Sequence, residues 1–124
     1  MSSAFYCFKY FMDYQIITSD SGFKVYRHTH DFRDQTRIEF KFEVRFDRVF
    51  EIEAFKSDLL IADCVCLAFL CSDGIIYTVN EEMDQFGKLK TAIEAKFPEI
   101  PPDWKEKIVQ PPFEENRTLL FTKL

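Results

Sequence analysis

A chain of 124 residues, 47% hydrophobic and 17% aromatic, is the length of one domain and carries enough apolar surface for a real core. Its net charge is −5, and its 16 Lys and Arg form no cluster or stripe. This disfavours nucleic acid and anionic membrane surfaces as partners, because both need concentrated positive charge.

Taken in chain order, the first feature is the aromatic stretch AFYCFKYFM at 4–12. It is shorter than the ~20 residues that span a bilayer. It also lacks the basic start and small-residue cleavage site of a signal peptide. It reads as a strand or a segment packed on the core, or, if Met12 is the true start, as a non-core extension over 1–11. FKVYRH at 23–28 reads as a strand, followed by the polar stretch THDFRDQ.

TRIEFKFEVRFD at 36–47 carries the clearest signal. Ile38, Phe40, Phe42, Val44 and Phe46 alternate with Glu39, Lys41, Glu43, Arg45 and Asp47. Period two over this length predicts an amphipathic strand that buries its five even-numbered side chains. Its place in the sheet, central or at an edge, is left open by the pattern. The alternation slips near Asp47 and Arg48, predicting a kink or bulge before a further strand, VFEIEAFK at 49–56. Asp58 and Asp63 flank Leu-Leu-Ile and read as a loop at the sheet rim.

DCVCLAFLC at 63–71 is apolar almost throughout and predicts a central strand covered on both faces. Asp73-Gly74 then favours a hairpin turn, with IIYTV at 75–79 as the return strand. At Met83, Phe86, Leu89, Ile93 and Phe97 the spacing changes to three and four, predicting a long helix over about 84–97 that Pro98 ends. Asn80 or Asp84 is the expected cap, and Glu81, Glu82 and Asp84 suit the positive end of the helix dipole. A proline-aromatic tail over 98–124, packed on the core, holds a short helix DWKEKIV headed by Asp103 and a last extended segment, RTLLFTK at 117–123. Strands followed by one long helix predict an α+β domain, in which that helix closes one face or end of an antiparallel sheet.

The candidate chemistry is sparse. Three of the cysteines, Cys64, Cys66 and Cys71, lie in the apolar run, and with Cys7 they form no C-x-x-C pair. Buried free thiols point to a reducing, cytoplasmic setting. His28 and His30 share H-x-H spacing, but a metal site needs a third and fourth ligand and the chain has no other histidine. They read as polar loop residues, with a small enzyme using His28 or His30 beside two carboxylates as the alternative. Adjacent Glu81 and Glu82 point apart rather than converge, which suits a solvated face better than acid–base catalysis. Neither a phosphate-binding glycine loop nor a nucleophile elbow is present. The expectation from these residues is no cofactor, no metal and no catalytic residue.

From Val44 onward, VRFDRVFEIEAFKSD, DCVCLAF, NEEMDQFGKL, PPDW and PPFEEN together resemble a group of small, uncharacterised bacterial proteins with a pleckstrin-homology-like pattern. The resemblance covers about two-thirds of the chain and implies a curved antiparallel sheet closed by one C-terminal helix. The tail after Pro98 departs from it. In size and acidity the chain is also similar to immunity proteins of bacterial toxin systems. The expectation is a non-catalytic, protein-binding domain neutralising a basic toxin such as a nuclease. Glu39, Glu43, Asp58, Asp63, Glu81, Glu82 and Asp84 are the candidate partner-binding residues. The alternative is a pleckstrin-homology-like module binding a peptide or a lipid head group.

Overall fold

The computed structural model describes residues 13–30, 35–59, 62–109 and 116–123. The stretch 4–12, Asp31 and Asp34, and the proline-rich 111–115 lie outside them. The chain is α+β. Among the described residues the strands are β1 (Tyr14–Ser19), β2 (Gly22–His30), β3 (Thr36–Arg45), β4 (Val49–Leu59), β5 (Ala62–Cys71), β6 (Ile76–Asn80) and β7 (Asn116–Thr122). The helices are α1 (Phe86–Lys96) and α2 (Trp104–Ile108). The strands form two antiparallel sheets, ordered β1-β2-β3 and β6-β5-β4-β7, and neither is closed or curled. A 3-10 turn at Phe46–Arg48 carries the chain from the first sheet to the second, at the kink the slipped alternation predicts.

The core lies where the two sheets and α1 meet. Ile16, Phe23, Val25 and Val44 come from the first sheet, Ile52, Val65, Leu67 and Phe69 from the second, and Phe86, Leu89 and Ile93 from α1. Aromatic rings join these layers. The Phe23 and Phe69 centroids are 5.0 Å apart, those of Phe42 and Tyr77 are 5.2 Å apart, and Phe97 bridges Phe46 at 5.8 Å and Phe121 at 4.6 Å. Such ring pairs stabilise by about 0.5–1.5 kcal/mol each beyond the area they bury. β5 is central, as its apolar run predicts, with β4 and β6 on its two sides. Gly74 takes up the turn after β5 at φ 80°, where a side chain would be strained.

Four local expectations are corrected. The β4–β5 hairpin runs further than a rim loop would, and Asp58 and Asp63 are register partners in its last pairs. The histidines lie in β2 and not in a loop. Neither Asn80 nor Asp84 caps α1: the helix follows Gln85 at φ 70°, and no acidic residue falls in its first turn. The physical reason is that the Asp84 backbone is already committed. Its N–H donates to the Tyr14 carbonyl at 2.9 Å and its carbonyl accepts from the Ile16 N–H at 2.9 Å, a parallel bridge that holds the segment extended.

The fourth correction concerns β3, which is an edge strand, pairing with β2 alone among the described strands. Val44 and Phe46 are buried and Phe42 is half-buried, but Ile38 is 64% exposed and Phe40 54% exposed. A β-bulge is the cause. Val25 pairs with Phe42 while its neighbour Tyr26 pairs with Phe40, so Lys41 has no opposite number. One extra residue reverses the in-and-out phase of everything before it.

The tail is built into the fold. β7 pairs antiparallel with β4, and Arg117 reaches Glu53 at 2.6 Å. α2 is fixed through Trp104, whose buried indole N–H donates to Glu94 Oε2 at 2.9 Å, and Glu94 also pairs with Lys90 at 2.9 Å. Lys56 is buried at the end of the inward face of β4, and its ammonium donates to the Val109 carbonyl at 3.3 Å. A buried charge is tolerated only with partners of this kind.

Candidate functional site

One polar cleft of about 470 Å³ lies where β1, the end of β2 and the segment after β6 converge. Among the described residues its lining carboxylates are Asp13, Glu82 and Asp84, joined by Tyr14, Gln15, His28 and His30. The parallel bridge between Gln15 and Asp84 fixes the two walls against each other. The His28 N–H donates to the Asp13 carbonyl at 2.8 Å, which ties the start of β1 to the end of β2.

The side chains are held differently. His28 Nε2 and Gln15 Oε1 lie 2.8 Å apart, within hydrogen-bonding distance. His30 Nδ1 lies 3.3 Å from Thr36 Oγ1. Asp84 Oδ1 accepts from Gln85 Nε2 at 3.4 Å. The backbone at Glu82 is set by its N–H, which donates to Asn80 Oδ1 at 3.0 Å. Burial raises the Glu82 carboxyl above the ordinary glutamate range, and the neighbouring Glu81 carboxylate adds to this.

Glu81 is not a described lining residue of the cleft, yet its carboxylate comes within 4.8 Å of that of Glu82, so the adjacent pair converges rather than pointing apart as expected. Glu81 Oε1 accepts from the Val65 N–H at 3.0 Å and its Oε2 pairs with Lys105 at 3.3 Å, so it anchors the segment after β6 to β5 and α2. Of the residues that sequence reasoning singled out, Glu82 and Asp84 therefore share the cleft with His28 and His30, while Glu81 backs it. Glu39 and Glu43 lie on β3, where Glu39 pairs with Lys41 at 3.2 Å and Glu43 faces Lys24 in register. Asp58 and Asp63 are placed by backbone register alone, their side chains lying outside the described residues. Asp13, Tyr14 and Gln15 escaped the sequence reading because a six-residue strand with two apolar neighbours gives too little period to detect.

Cys64, Glu81 and Glu82 bring one sulfur and two carboxylates within 4.8 Å of one another, the one donor set of this kind among the described residues. Hydrogen bonding with the Cys66 thiol and burial hold the Cys64 thiol well above its usual range. The engagement of Glu81 with Val65 and Lys105 gives it a structural role in this set.

No family model matches the chain, and no significantly similar protein was found among curated proteins or solved structures. Among the described residues no helix is long and apolar enough to cross a membrane.

Proposed function

We propose that this domain is a non-catalytic protein-binding module that takes a basic side chain of its partner into the cleft. The carrying observation is the charge imbalance of the described lining: Asp13, Glu82 and Asp84 supply three carboxylates, and no Lys or Arg stands among the described lining residues. A walled cleft of one sign concentrates its field and favours a cation of complementary shape. The leading case is an immunity protein of bacterial origin acting in the cytoplasm on a basic toxin such as a nuclease. The net charge of −5 supports fast, charge-steered association with such a partner. The buried free thiols of Cys64, Cys66 and Cys71 support the reducing setting.

Within the pleckstrin-homology-like alternative, the electrostatics favour a peptide over a lipid head group. Lys41, Arg45, Lys90, Lys105, Lys107 and Arg117 each lie against a carboxylate and form no phosphate-binding cluster. A small enzyme is supported by the placing of His28 and His30 beside carboxylates in one cleft. Against it, His28 Nε2 is held by Gln15, and neither histidine belongs to a set of three donors within metal-binding distance among the described residues.

Co-expression with the product of the adjacent gene tests the leading case. Complex formation and protection of the host are expected with the native chain, and loss of both is expected with Glu82→Lys/Asp84→Lys at unchanged circular dichroism. If the native chain neither binds nor protects, the immunity reading fails. A stoichiometric divalent ion in the purified protein, lost in His28→Ala, would transfer the cleft to the enzyme reading.

A further inference from the structure

The edge of β3 that pairs with no other described strand has a charge order of its own. Arg37, Glu39, Lys41, Glu43 and Arg45 alternate in sign, three cations with two carboxylates, so the strand is near neutral within an acidic chain. The Lys41 bulge disrupts the middle of that edge, as bulges and lysines commonly do where strand addition is avoided. It leaves Thr36–Phe40 regular, and there the side chains of Ile38 and Phe40 stand exposed. Phe40 packs edge-on to Tyr26 at 5.7 Å, so one face of this strip is apolar.

We infer that a second copy of this chain adds to the β3 edge, antiparallel about a two-fold axis at Ile38, joining two three-stranded sheets into one of six strands. Register selects this arrangement. An axis at Arg37 or Glu39 would set that residue against its own copy, and like charges directly opposite repel. An axis at Ile38 sets Arg37 opposite Glu39 of the other copy, twice by symmetry, and Ile38 opposite Ile38. The apolar strip of Ile38, Phe40 and Tyr26 then continues across the axis. Each copy's backbone N–H and C=O groups along that edge gain partners. The contact is isologous, so it closes at two copies and forms no fibre. It uses none of the cleft carboxylates and stands apart from the reading of the cleft.

Sedimentation velocity on the full chain over a concentration series up to the high micromolar range tests it. The native protein is expected to dimerise. Arg37→Glu and Glu39→Arg each place like charges opposite and should weaken the dimer on the order of tenfold. The double variant Arg37→Glu/Glu39→Arg restores opposite charges across the axis and should regain dimerisation. Circular dichroism confirms the fold of each variant. A native protein that stays monomeric over the whole range overturns the proposal. So does a double variant no better than the two singles, because the register would then be wrong.

Discussion

Phe40 and Phe42 stand two residues apart on β3 and turn to opposite faces of the sheet, because Phe42 pairs with buried Val25 while Phe40 pairs with Tyr26 across the Lys41 bulge. Phe42 meets Phe23 at 6.5 Å and Tyr77 at 5.2 Å, whereas Phe40 meets Tyr26 on the open side. Phe42→Asp therefore puts an uncompensated charge beside the core and should unfold the domain or cost it about 3 kcal/mol. Phe40→Asp should change stability by no more than about 0.5 kcal/mol. Urea unfolding followed by circular dichroism separates the two, and equal losses would mean that the bulge does not form.

Gly22 is the register partner of Arg45 at one end of the β2–β3 ladder. A Cβ there would run into the Val44 carbonyl oxygen and stand 2.9 Å from the Arg45 Cα, and neither backbone atom can rotate away. Gly22→Ala should cost about 3 kcal/mol or more by forcing the strands apart. Gly87→Ala, where a Cβ meets nothing within 4 Å, should stabilise α1 by about 0.5–1 kcal/mol. Thermal denaturation of the two variants should shift in opposite directions.

Glu82 makes the cleft pH-sensitive. Its raised carboxyl pKa means that, just above the ordinary glutamate range, the folded protein keeps a proton that the unfolded chain has released. The Glu82 contribution to stability then falls as pH rises through that window and is level on either side. Glu82→Gln should remove this slope and stabilise the neutral-pH protein by well under about 1 kcal/mol, since the side chain is only partly buried. Affinity for a basic partner should run the other way, weakening as pH falls through the same window while an ordinary glutamate would still be ionised. Denaturant midpoints and binding titrations across that range check both signs.

The elements themselves were legible where one physical signal dominates. Asp73-Gly74 marks a turn because both residues tolerate unusual backbone angles, and the three-and-four spacing from Met83 to Phe97 marks α1. What the pattern hides is anything set by a distant partner. The phase of β3 depends on where Lys41 falls opposite β2, and the start of α1 depends on Asp84 being drawn into a bridge with β1. The cleft is hidden for the same reason. Glu82 and Asp84 look like helix-dipole residues until the bridge to Gln15 places them beside His28.

β7 gives the domain a weak seam in time as well as in space. Among the described strands it is an outer one of its sheet, and its Arg117–Glu53 pair joins positions 64 residues apart, whereas β1, β2, β5 and β6 find neighbours across short turns. Closing a loop of that length costs about 3–4 kcal/mol of chain entropy before any contact repays it. Hairpins can form on their own within microseconds, but this strand has to wait for β4 to exist. It is therefore the last piece to dock during refolding and the first to peel away under stress. Its amides should exchange with deuterium well ahead of those of β5.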